Sequence, residues 1–150
     1  MNKAQDYLEK IKTYDTLSNC RMLQAGKLDA KMAIITASMK GDLVSFSGSQ
    51  DKLGETTAKF MTLEEKIYSE IDYYLEQMDK ATALLDKLAL KQKATKKEKP
   101  EEYYKVLFRR YVLYQTFEQI AKDMNYSERQ IHNIHGNALV AFEKLMQEEQ

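Results

Sequence analysis

Both histidines of the chain fall in one stretch, MNYSERQIHNIHGNAL, residues 124–139. His132 and His135 stand three apart and Glu128 precedes His132 by four, so a single helix would bring three potential zinc ligands onto neighbouring turns. Helical metal sites ordinarily recruit a second element. No further strong ligand stands nearby, so no metal is expected, and His135 is read as packing at the edge of a helix crossing. Catalysis finds less support. Cys20 is the only cysteine, which leaves neither an intramolecular disulfide nor a cysteine-based zinc site. It lies on an amphipathic helix with no histidine near it in sequence and reads as a buried thiol. The carboxylates are scattered along solvated faces, and no pair sits in an apolar setting that would separate its pKa values. Gly48, Lys52 and Gly54 do not have the order of a phosphate loop, and no strand leads into them. No enzyme and no cofactor are expected.

The same stretch fits nucleic-acid recognition better. Ser127 followed by Gln130 is a capping box that opens a helix. Asn125 suits the left-handed turn between two helices. Ala121 supplies the small residue where those helices cross, and Ile131 and Ile134 lock the crossing from the second helix. With the isoleucines inward, Glu128, Arg129, Gln130, His132, Asn133 and Asn137 project outward, beside Ser127 at the helix start. Residues so placed on a recognition helix reach base edges in the major groove, where Arg pairs with guanine and Gln or Asn with adenine. Arg129, Gln130, His132 and Asn133 are the expected base contacts. Lys122, Arg109 and Arg110 are the backbone-contact candidates.

The elements that must position these residues are helices. Charged residues make up 31% of the 150, acids and bases cancel to a formal net charge of zero, proline occurs once and glycine five times. Few breakers and many helix formers predict an all-α fold. From about Lys3 to Met39, Leu8, Ile11, Tyr14, Leu17, Met22, Leu28, Met32 and Ile35 recur at helical spacing, with either one imperfect helix or a break near Gly26. The Gly- and Ser-rich GDLVSFSGSQDKLGE reads as a connector. From about Thr56 to Leu90, Phe60, Ile67, Tyr74, Ala81 and Leu88 recur by sevens, with Leu63, Ile71, Met78 and Leu85 between them. That is a coiled-coil seam, folded back on the first helix as a hairpin or left open as a dimer interface.

KQKATKKEKP, residues 91–100, carries five lysines and one glutamate. Pro100 can start the next helix at its first position. The chain therefore divides into residues 1–90, a helical hairpin or coiled coil for dimerisation or partner binding; residues 91–100, a basic linker; and residues 101–150, a helix-turn-helix DNA-binding domain. In the last, Tyr104, Leu107, Phe108 and Tyr111 line the first helix. Phe117, Ile120, Ala121 and Met124 face inward on the second, and Ile131, Ile134, Ala138, Phe142 and Leu145 on the third. No apolar run approaches the roughly 18 residues of a membrane span and no secretory apolar core is seen, so a soluble, intracellular protein away from membranes is expected.

The stretch YKVLFRRYVLYQTFEQIAKDMNYSERQIHNIHGNAL resembles the C-terminal part of the RinA- and ArpU-like late transcription activators of phages of Gram-positive hosts. These have a helix-turn-helix similar to region four of sigma factors. The first half is similar as well: an N-terminal helix, SFSGSQDKLGE, then a long charged helix. The resemblance implies a DNA-binding transcription regulator with recognition falling on Ser127 to Asn137. Its expected partners are double-stranded DNA, a second copy of the chain and host RNA polymerase. The chain departs from the family pattern at Asn133 and Asn137, where relatives often carry basic residues. Residues 101–150 hold six basic and eight acidic side chains, so the dimer, the lysine linker, Arg109 and Arg110, or polymerase must supply the phosphate affinity. The alternative is a protein-binding phage module, an antirepressor or an inhibitor of a host factor, acting through the long helices.

Overall fold

With its sole proline at position 100 and helix formers dominant elsewhere, the chain offers little to interrupt helix propagation. The computed structural model describes residues 2–41, 49–93 and 95–150. Among these the protein is all-α: α1 Lys3–Gly41, α2 Ser49–Leu90, α3 Pro100–Tyr111, α4 Phe117–Met124 and α5 Glu128–Glu148, with no strand. None of these helices is long and apolar enough to cross a membrane. α1 runs unbroken through Gly26. α2 begins at Ser49, inside the segment read as a connector, because SQDKLGE tolerates helix on both sides of Gly54. Residues 42–48 of that connector, Gly48 among them, lie outside the described residues. Pro100 opens α3, where its missing N–H would have had no helical acceptor anyway.

The helices build two compact units, Met1–Asp15 with Glu76–Gln150, and Thr16–Leu75. In the first, Ala4, Leu8 and Ile11 of α1 meet Ala81, Leu85 and Leu88 of α2. Tyr103, Leu107 and Tyr111 of α3 and Ala138, Leu139, Phe142 and Leu145 of α5 close the same core. Phe142 is fully buried, with the Tyr7 ring 6.0 Å from its own. A smaller cluster of Val106, Ile120, Ala121 and Ile131 joins α3, α4 and α5. Lys87–Glu149 at 2.9 Å and Lys91–Glu148 at 3.3 Å tie the end of α2 to the end of α5, exposed pairs that add little to stability. The compact units thus do not part at the lysine-rich segment 91–100. Helical spacing identifies which face of α2 is apolar, but not that its last turns pack against α5.

The second unit pairs the rest of α1 with the start of α2. Ala25 and Leu28 bury against Ile67 and Ile71, with Phe60 at the margin, and the Arg21 guanidinium pairs with the Glu70 carboxylate. The seam read in α2 is buried at Ile67 and Ile71 here and at Ala81, Leu85 and Leu88 in the first unit, but Leu63 is exposed. Met22 of α1 is exposed too. Cys20 is also exposed, not the buried thiol the sequence suggested. The inward position on that turn is taken by Ser18, and two residues further the helix has turned through about 200°.

Candidate functional site

The junction of α4 and α5 is fixed by local chemistry. Thr116 caps α4: its hydroxyl accepts from the Gln119 N–H at 3.2 Å, and the Gln119 Oε1 accepts from the Thr116 N–H at 2.9 Å. This second capping box was legible as T-x-x-Q and was not read from the sequence. Asn125 ends α4 in the left-handed region, φ 58° and ψ 40°. Asn adopts that conformation at low cost because its short side chain bonds locally. Ser127 then caps α5, with the Gln130 N–H donating to its hydroxyl at 3.1 Å and the Ser127 N–H donating to the Gln130 Oε1 at 2.8 Å. Ile131 is fully buried and Ile134 half-buried against the α3–α4 cluster.

Those anchors turn the opposite face of α5 outward. Ser127, Glu128, Arg129, Gln130, His132, Asn133 and Asn137 are all exposed, as is Lys122 on α4. Gln130 has one oxygen committed to the cap, which leaves its amide N–H groups as donors. The His132 ring lies 4.3 Å from the Phe117 ring, with its Nε2 3.8 Å from the Glu128 carboxylate. His135 packs against the same ring. Its Nε2 is 2.8 Å from the Tyr111 hydroxyl, and the edge of Phe117 packs on it at 5.0 Å. Burial, and then the charges of Arg110 and His132, lower its pKa to about 4, so it is neutral at pH 7. Both imidazoles thus lie against Phe117, and among the described residues no three His, Cys, Asp or Glu side chains are grouped to hold a metal ion.

Arg109 and Arg110 have internal partners that the sequence did not reveal. The Arg109 guanidinium donates to the Asp123 carboxylate at 3.1 Å. Arg110 donates to the Gln115 carbonyl at 3.1 Å and lies 4.3 Å over the Phe117 ring. Together they fasten α3 to the α3–α4 connection and to α4. Tyr114, in that connection, holds a left-handed φ of 57°, an unusual state for an aromatic residue. Its hydroxyl donates to Asp15 at 2.9 Å, and burial, with that carboxylate, raises its pKa to about 12. At the other side of the junction the Tyr126 hydroxyl donates to Glu102, in the first turn of α3. The cations left exposed on α4 and the first turn of α5 are Lys122 and Arg129. No family model, curated protein or solved structure matches the chain.

Proposed function

We propose that this protein is a sequence-specific DNA-binding regulator of phage late transcription, acting in the cytoplasm of the bacterial host. In this reading α4 and α5 form a sigma region-four-like helix-turn-helix carried behind a long helical hairpin. The observation that carries it is the α4–α5 junction: a left-handed Asn125, a full capping box at Ser127 and buried Ile131 hold a polar first turn of α5 outward. Arg129, Gln130, His132 and Asn133 then face base edges, with Lys122 at the backbone. Arg109 and Arg110 would reach phosphate only by loosening their present bonds. A homodimer through the long helices, and host RNA polymerase, complete the proposed partners.

A second reading, protein recognition through the long helices, is favoured by the apolar residues that α1 and α2 leave exposed, Leu23, Ile34, Met61, Tyr68 and Leu75 among them. Chromatin immunoprecipitation of the tagged full-length protein in a host carrying the phage separates the two. A few sharp peaks, lost in Arg129→Ala, are expected for the regulator. A flat profile from a well-expressed protein would rule against it in favour of the protein-binding module. On the site so identified, Arg129→Ala should cost about 1–3 kcal/mol and relax specificity at one position. An equal loss on every DNA sequence would reduce Arg129 to a phosphate contact. The full chain is needed, because a fragment beginning at Glu101 would expose Leu107, Phe142 and Leu145, which α1 and α2 help to cover.

A further inference from the structure

Phosphate affinity must come from somewhere other than the helices that would read bases. Residues 101–150 carry six basic and eight acidic side chains, and Arg109 and Arg110 are bonded within the fold. The lysine-rich segment preceding α3 supplies what is missing, because the fold brings its end alongside α5. Lys97 and Lys99 form one wall of a cleft of about 260 Å³ whose other wall includes Gln130, Asn133 and Asn137 of α5. Between them the Glu102 carboxylate accepts from the Tyr126 hydroxyl. Its second oxygen is buried, accepts no hydrogen bond among the described residues and lies 3.8 Å from the Lys99 ammonium. The one acid in the cleft is thus bonded to Tyr126 through one oxygen and faces Lys99 with the other, while the Lys99 side chain stays 60% exposed.

We propose that this cleft seats a phosphodiester strand bordering the groove α5 enters, with Lys97 and Lys99 on its phosphates and Tyr126 and Glu102 positioning Lys99. The inference rests on the DNA-binding reading and adds to it the side of α5 along which one strand runs. Asn133 and Asn137 on the facing wall are uncharged and bring no carboxylate against the strand, and the Asn137 amide can donate to its oxygens while Asn133 keeps to the bases.

The test is the salt dependence of binding by the full-length protein to a random-sequence DNA duplex, followed by fluorescence anisotropy. Each phosphate contact contributes roughly 0.9 to the slope of log affinity against log salt concentration. Lys97→Gln with Lys99→Gln should therefore lower the magnitude of that slope by about two. The same charge removed at Lys93→Gln and Lys96→Gln, outside the cleft, should leave it at the wild-type value. An unchanged slope in the first pair, or an equal fall in both pairs, would overturn the cleft assignment and leave DNA binding standing. A wild-type protein that binds no duplex at low salt would overturn both.

Discussion

The two compact units solve the same problem with different resources. Met1–Asp15 with Glu76–Gln150 closes its core with helices from separated parts of the chain and buries Phe142, Leu107, Leu8 and Leu85 completely. Thr16–Leu75 has only stretches of two helices, and its cluster is Ala25, Leu28, Ile67 and Ile71. A pair of helices presents one contact seam, so apolar residues off that seam have nothing to cover them. Leu23 remains 70% exposed, and Ile34 67%. The better-packed unit carries the candidate site. A recognition surface needs rigid support, whereas the sparsely covered unit leaves apolar side chains exposed.

The largest effect should separate the units directly. Phe142→Ala should cost about 3–5 kcal/mol, and Ile67→Ala nearer the lower end of the 2–5 kcal/mol typical of such truncations, because its site is easier to collapse. Urea titrations of both variants would check this, and equal losses would break the contrast. Next is acid. His135 has a folded pKa of about 4, below its ordinary 6.5, so the neutral ring favours folding. That contribution is present above pH 6.5 and is lost as pH falls through 4. It should amount to about 2–3 kcal/mol. Between pH 7 and 4 the wild type should lose that much more stability than His135→Gln; parallel curves would show that His135 is not held neutral. Ser127→Ala, which removes the cap of α5, should cost about 1 kcal/mol, measurable by thermal melting. Smallest, Gly26→Ala in α1 should stabilise by about 0.5–1 kcal/mol, since nothing lies within 4 Å of the added methyl. A loss would mean that the second unit is packed more closely at Gly26 than its open surroundings indicate.

What could be read from the sequence was what short-range chemistry encodes. Asn125, the Ser127–Gln130 box and Pro100 at the start of α3 are dictated within a few residues of themselves. The buried seam of α2 and the inward Ile120, Ile131 and Phe142 followed from spacing. What spacing leaves open is the identity of the covering element. Tyr103 and Val106 are more buried than Tyr104 and Phe108, because α3 is covered on two sides, by the main core and by the α4 cluster. The left-handed Tyr114 has no local signal at all, and its hydroxyl is bonded to Asp15, far away in sequence. Within the candidate site, the outward residues of α5 were legible. The internal bonds of Arg109 and Arg110 were not, since an arginine's type does not say which carboxylate or carbonyl it will find.

The first unit is interrupted in sequence by the second. During synthesis Leu8 is made long before Phe142, and its apolar face waits while residues 16–75 and then the last three helices are produced. The pairing of α1 with α2 is available much earlier and holds the start of α1 near the end of α2. Closure of the core around Phe142 then needs only the arrival of α5 at a partly assembled surface. Such a protein should fold in an order set by the ribosome as much as by its contacts. A stall before α5 is complete would leave Leu8, Leu85 and Leu107 without the helix that finishes covering them, a nascent chain with an unsealed core.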